Sequence, residues 1–102
     1  MDTIKYDGGY EEIEYIFDVI TREDEISIIN SVSIKFTPNL LTICPKMYQI
    51  YLAGFYYNIT PEMLANLIYE DFDEAVKPND LYVVLSTQRD GIDIIVYKGD
   101  DF

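Results

Sequence analysis

The sequence contains no histidine and no tryptophan, and it has one cysteine and few basic residues. Without histidine, Ser-His and Cys-His catalysis, histidine-ligated metals and most general bases active near neutral pH are excluded. The single cysteine, Cys44, excludes an internal disulfide and favours a reducing compartment. It precedes Pro45 among apolar residues, which is typical of a small buried side chain and not of a nucleophile. We therefore expect no enzyme and no cofactor.

Other motifs that carry chemistry are also missing. The glycine pair in YDGGYEE lacks the lysine and the spacing of a phosphate-binding loop. The acidic stretches EDFDE and GDD lack the central glycine pattern of a calcium loop, so we expect no metal site. Acids are too numerous for any one pair to indicate glycoside chemistry. No secretory signal and no apolar run of membrane-spanning length is visible, so a cytoplasmic location is expected.

The charge balance is strongly acidic. In 102 residues, 19 acids face seven bases, for a formal net charge of −12. Direct binding to nucleic acid or to an anionic membrane is disfavoured, because both need lysine and arginine. The charge either keeps the protein in solution or attracts a basic partner.

The acids avoid the middle of the chain. Nine precede Ile26, ten follow Pro61, and the segment 26–61 between them has only Lys35 and Lys46 as charges. The acid-free segment therefore reads as core or as a covered surface. Since there is no linker, repeat or low-complexity tract, residues 1–102 are predicted to form one domain.

Local patterns predict an α+β fold. Alternation predicts strands at Ile26–Phe36 and at the two sides of Asp90-Gly91, a hairpin turn signal. Thr3–Tyr6 is a short candidate strand, and the segment between Pro38 and Pro45 reads as a loop. Tyr10–Thr21 fits a strand or a helix, with its β-branched and aromatic residues favouring a strand. Met47–Tyr57 is apolar on both faces and fits a buried strand or a buried helix equally.

The strongest helix signal lies between Thr60 and Pro78. Thr60 suits the N-cap, Pro61 the first helical position and Glu62 the first turn. An apolar stripe follows at helical spacing, made of Leu64, Leu67, Ile68, Phe72 and Ala75. Altogether the sequence predicts an antiparallel or mixed sheet of about four to five strands, packed by one or two helices and ending in a C-terminal β-hairpin.

The end of this helix is the first candidate binding surface. It carries acids where the helix dipole is negative, so local helix physics disfavours them. A charge run is usually a solvated face, yet acids about 5–6 Å apart also imitate the charges of a nucleic-acid strand. Tyr69 would add the aromatic contact area that anchors interfaces. The residues predicted to bind a partner here are Glu62, Tyr69, Glu70, Asp71, Asp73 and Glu74.

A second candidate cluster lies near the N-terminus. Glu11, Glu12 and Glu14 are neighbours of the aromatic residues Tyr10 and Tyr15 and are predicted to extend the partner-binding surface. The stretch Arg22–Glu25 is read as a turn.

These features favour a small acidic inhibitor of a basic, nucleic-acid-handling protein. Its size and charge suit the immunity protein of a nuclease toxin, an antitoxin, or a phage anti-defence or DNA-mimic protein. Such an inhibitor would block a cationic cleft by electrostatic and steric occlusion. The alternative is an interaction or homo-oligomerisation module that uses the acid-free segment 26–61, so a homodimer is also considered. A small enzyme that uses carboxylates is a third hypothesis without a supporting motif.

Overall fold

The structure, a computed structural model, describes residues 2–9, 11–53 and 58–99. In chain order its elements are β1 (Thr3–Lys5), β2 (Ile13–Glu23), β3 (Ile26–Thr37), β4 (Leu41–Ile43), α1 (Pro45–Leu52), α2 (Pro61–Val76), β5 (Asp80–Arg89) and β6 (Ile92–Gly99). An antiparallel sheet has the strand order β2-β3-β5-β6, and β1 and β4 form a separate two-stranded sheet. The predicted α+β class, with one or two helices on a sheet and a C-terminal hairpin, is confirmed, and the number of helices is two.

Two tight hairpins build the four-stranded sheet. The β2–β3 turn has φ angles of 49° at Asp24 and 67° at Glu25, and the β5–β6 turn has 54° at Asp90 and 78° at Gly91. Positive φ at both central positions is typical of the turn that matches the twist of a two-residue hairpin. Both turns were expected from the sequence.

The structure decides between helix and strand where the sequence did not. The favoured strand within Tyr10–Thr21 is present as β2, although Tyr10 lies outside the described residues. Within Met47–Tyr57 the chain is helical as far as Leu52, and residues 54–57 lie outside the described part. The interpretation of the segment after Pro38 as a loop is wrong for β4, because Leu41–Ile43 pair with β1. A strand of three residues is too short to show the alternation by which strands are predicted.

The second helix begins and ends where its local signals predict. Thr60 accepts a hydrogen bond from the backbone N–H of Met63 at 3.2 Å, and Pro61 occupies the first helical position. At the other end Lys77 adopts a left-handed conformation and its N–H bonds to the carbonyl of Asp73 at 2.9 Å. The helix therefore spans Pro61–Val76.

Both helices cover the same face of the sheet. Helix α1 contacts β2, whereas α2 contacts β5 and β6. Aromatic rings join the layers: Phe72 lies edge-on to Phe36 with centroids 4.8 Å apart, and Tyr48 contacts Phe17 at 5.2 Å and Phe72 at 5.8 Å. The sheet side of the core is Phe17, Val19, Val32, Ile34, Phe36, Leu81, Val83 and Leu85.

The opposite face of the sheet is not covered by either helix. We call it the open face.

Neither helix in the described parts of the chain is long and apolar enough to cross a membrane.

Candidate functional site

The acids of α2 lie on its outer surface. Glu62, Glu70, Asp73 and Glu74 are exposed, as their helical positions opposite the apolar stripe require. The ion pairs found among the described residues join Lys5 to Asp7, Lys35 to Glu12 and Arg89 to Glu23. None of them involves an acid of α2, so the acids of this helix have no ion-pair partner among the described residues.

Asp71 differs from the other acids of α2. It is half-buried, and the hydroxyl of Tyr51 on α1 donates a hydrogen bond to its Oδ2 at 3.4 Å. Burial raises the pKa of Tyr51, and the negative charge of Asp71 raises it further. Asp71 therefore contributes to the contact between the two helices as well as to the acidic surface.

Tyr69 faces β6 and is half-buried against the core. The ammonium of Lys98 lies 5.5 Å from the centroid of its ring, a cation–π distance. Part of the ring is therefore covered by the protein itself. Its predicted role as a partner contact stays a prediction.

Glu11 has partners within its own segment. Its carboxylate accepts hydrogen bonds from the hydroxyl of Tyr6 and from the backbone N–H of Gly9, the latter at 3.0 Å. The hydrogen bond from Tyr6 is the main cause that lowers the pKa of Glu11, and the same bond raises the pKa of Tyr6. This carboxylate is already hydrogen-bonded at the protein surface.

Glu12 and Glu14 also have partners. Glu12 pairs with Lys35 at 3.3 Å, and Glu14 accepts a hydrogen bond from the hydroxyl of Ser33 at 3.0 Å. Because Glu14 and Ser33 lie on the open face while α2 packs on the other face, the sheet separates Glu14 from α2. The structure therefore does not join Glu14 to the acids of α2 in one patch.

The open face carries several large apolar side chains that are exposed. Its exposed large apolar side chains are Ile16, Ile20, Ile29, Ile95 and Tyr97, with exposed fractions of 51–67%. Serines and charged residues lie between them, as the strand registers require. Ile20 and Ile29 are direct cross-strand neighbours, so this pair is the candidate apolar contact of the face.

A cleft separates the ends of the two hairpins. The register between β3 and β5 stops at Ser31 opposite Ser86, although β3 begins at Ile26 and β5 continues to Arg89. A cavity of about 570 Å³ lies between these ends. It is lined by Glu23, Asp24, Ile26, Ser27, Ile28, Ile29, Gln88, Arg89 and Asp90. We call this cleft the fork.

An ion pair spans the helix-covered side of the fork. Nη1 of Arg89 on β5 donates to Oε2 of Glu23 on β2 at 2.6 Å, so it links two strands that are not adjacent in the sheet. The Arg89 side chain is 15% exposed, and its Nε and Nη2 are buried without a hydrogen-bond partner among the described residues. A short charge-assisted bond of this kind holds the hairpin ends together.

Two buried polar residues, Asn30 and Thr87, lie where the β3–β5 pairing ends. Asn30 is fully buried, and its amide donates to the carbonyl of Val19 at 2.9 Å and to the hydroxyl of Thr21 at 3.2 Å. These bonds direct Asn30 toward β2 and away from β5. Thr87, which would be opposite Asn30 if the β3–β5 register continued, is also buried.

Sequence reasoning missed the fork. The available signal was Asn30, a polar residue on the otherwise apolar face of β3, together with Thr87 and Arg89 at the corresponding positions of β5.

Cys44 is half-buried and directly precedes α1 without a side-chain cap bond. The described residues contain no group of three or more acids or cysteines arranged to hold a metal ion.

Comparison with known proteins identifies the fold. No family model and no curated protein matches the chain. Among solved structures, the apo form of the archaeosine synthase QueF-Like superimposes with a TM-score of 0.81 at 15% sequence identity, covering 90% of this chain and 95% of that chain. The expectation that the chain is not an enzyme is therefore contradicted, because its fold is shared with an enzyme. At this identity the likeness extends to the fold alone.

Proposed function

We propose that this protein is a small acidic inhibitor, which binds a basic nuclease toxin or another nucleic-acid-binding protein through the outer face of α2. The single observation that supports this is the set of exposed acids on α2, none of which forms an ion pair within the described residues. The immunity, antitoxin and phage anti-defence or DNA-mimic types remain the classes proposed, in the cytoplasm.

The spacing of the acids suits a cationic partner. Glu70 lies three residues before Asp73 and four before Glu74, so the side chains are about 5–6 Å apart on one helix face. A basic cleft that holds nucleic acid offers cations at comparable spacing to such a surface. Long-range attraction would speed the encounter at low salt and fade as salt rises.

The position of the acids supports the same proposal. Asp73 and Glu74 lie in the last turn of α2, which contains no basic residue. Acids at this end oppose the helix dipole, so they lower the stability of the free protein. A bound cation would remove that penalty, which gives a physical reason for a charge arrangement that is unfavourable in isolation.

The test is capture of a partner by matched charge variants. The α2 variant replaces Glu70, Asp73 and Glu74 by their amides and changes the formal net charge from −12 to −9. A control variant replaces Asp2, Asp7 and Asp18, which are also exposed, and reaches the same net charge. Each protein is immobilised and exposed to lysate of the source organism at about 50 mM and about 500 mM salt.

We expect the wild type and the control to retain a basic nucleic-acid-binding protein at low salt and to release it at high salt. The α2 variant should fail to retain it. Equal capture by the two variants would show that overall charge, and not the outer face of α2, is responsible. Retention that is unchanged at high salt would contradict the electrostatic mechanism.

A second candidate function is homo-oligomerisation, which the exposed isoleucines of the open face favour. Ile29 belongs to the acid-free segment 26–61, while Ile16, Ile20 and Ile95 come from the flanking strands. Light scattering after gel filtration at about 500 mM salt tests it, because apolar association survives screening. A dimer that the Ile20→Lys change converts to a monomer would support this function, whereas a wild-type monomer at high concentration would dismiss it.

A further inference from the structure

The fork is an opening within the plane of the sheet. Ser27, Ile29 and Gln88 line it from the open face, whereas Ile28 and Arg89 line it from the helix-covered face. Together with the β3–β5 register that stops at Ser31 and Ser86, side chains from both faces around one cavity indicate that the two strands have separated. The cavity therefore lies where the β3–β5 pairing would have continued.

The separated strands leave backbone groups without sheet partners. Beyond Ser31 and Ser86, neither Ile26–Asn30 of β3 nor Thr87–Arg89 of β5 pairs across the fork with any described residue, although both stay in strand conformation. The five residues of β3 span about 17 Å at the usual rise of about 3.3 Å per residue. Strand edges of this kind pair with added strands, and here two such edges face each other.

The surroundings of the fork select the chemistry of an occupant. On the helix-covered face apolar contact is offered by Ile26, which is 65% exposed, and by Ile28. Ile29, which is 64% exposed, lines the fork on the open face. The exposed acids Asp24, Glu25 and Asp90 form the rim at the two hairpin turns. Arg89 is paired with Glu23, and Arg22 is the remaining cation at these turns, so the rim is net negative.

We propose that the fork binds an extended peptide segment, in which basic and apolar residues alternate, as an inserted strand between β3 and β5. Its backbone pairs with both open edges. Because its side chains alternate between the two faces, its apolar residues contact Ile26 and Ile28 on the helix-covered face, and its cations lie on the open face beside the acidic rim. This site is separate from the outer face of α2 and does not depend on the proposed inhibitor function.

The test uses a synthetic peptide of about eight residues, the length of a short strand, with alternating lysine and valine. Successive backbone N–H groups of a strand point to opposite edges, so the lysine N–H groups lie along one edge and the valine N–H groups along the other. Two further versions of the peptide carry N-methyl groups on all lysines or on all valines, and each therefore lacks the donors of one edge. Because a strand inside the fork pairs along both edges, either methylation should weaken binding about tenfold. A strand added outside β2 or β6 would respond to only one of them.

Two protein variants with equal charge changes locate the site. Replacing Asp24 and Asp90 by asparagine, which tolerates the positive φ of both positions, neutralises the rim. Replacing Asp2 and Asp7 by asparagine removes two exposed charges that lie outside the fork. We expect the rim variant to weaken peptide binding between about twofold and thirtyfold, the range for two exposed charge pairs, and the variant of Asp2 and Asp7 to leave it unchanged.

Hydrogen exchange supplies an independent readout. The bound peptide should slow amide exchange in the open parts of β3 and β5, residues 26–30 and 87–89, and leave the outer edges of β2 and β6 unaffected. No peptide binding, protection only at β2 or β6, or equal affinity for the unmethylated and both methylated peptides would each overturn the proposal. Circular dichroism of each variant verifies that its fold is retained.

Discussion

Asp73 and Glu74 occupy the last turn of α2, where the helix dipole is negative. Replacing them by asparagine and glutamine keeps side-chain size and nearly the same helix propensity. Both side chains are exposed and have no ion-pair partner among the described residues, so the replacement removes no ion pair. The change therefore isolates the electrostatic cost of placing acids at this end of the helix.

We expect the double variant to be more stable than the wild type. Each exposed charge in a terminal turn is worth about 0.3–1 kcal/mol at low ionic strength. The repulsion between Glu70 and Glu74, four residues apart, adds about 0.2–0.5 kcal/mol. The free energy of unfolding should thus rise by about 0.8–2.5 kcal/mol, measured by urea unfolding in about 10 mM salt.

A change at the other end of the helix is the matched control. Glu62 lies in the first turn, where the dipole is positive and an acid is favourable. Glu62→Gln should therefore lower the free energy of unfolding by about 0.3–1 kcal/mol. Both effects should shrink in about 500 mM salt because the charges are exposed. A double variant that is less stable than the wild type, or effects of the same sign at both ends, would refute the argument that the acids of the last turn carry a cost.

There are three further predictions, two on the stability of the fold and one on a surface hydrogen bond. Thr60→Ala removes the N-cap of α2 and should cost about 0.5–2 kcal/mol in urea unfolding, while Thr60→Ser should retain most of the stability. Phe72→Ala removes a fully buried ring and should cost about 3–5 kcal/mol, and a loss below 1 kcal/mol would contradict its central place in the core. Tyr6→Phe deletes the main contact that lowers the pKa of Glu11. In the wild type this contact stabilises the fold above the unfolded carboxyl pKa and is lost as the pH falls through the lowered value. NMR titration should therefore find a higher pKa for Glu11 in the Phe variant, and an unchanged value would refute the assignment.

Local signals predicted much of the fold because their causes are local. The cap at Thr60, the proline after it and the two hairpin turns act through neighbouring backbone groups, and the structure has each of them where the sequence places it. Alternation along β3 identified its inward face correctly. Ile26 is nevertheless exposed on that face, because this end of the strand borders the open fork.

The candidate sites were predicted less completely. The acids of α2 were identified from helical spacing, which places them on the outer surface whatever the tertiary arrangement. The pairing of Glu12 with Lys35 and of Glu14 with Ser33 depends on the β2–β3 register, and the sequence did not specify it. The fold shared with an enzyme was not predicted either, because that likeness is one of tertiary structure at only 15% sequence identity.

By itself, the sequence determined the large negative charge. It also determined the boundaries of α2, the hairpin turns and the alternating faces, which depend on residues close together in the chain. Only the tertiary structure decided that α1 is a helix, that one face of the sheet stays open, and that β3 and β5 separate beyond Ser31 and Ser86. These features follow from contacts between distant segments. The burial of Asn30 toward β2 and the reach of Arg89 to Glu23 have no counterpart in any local pattern.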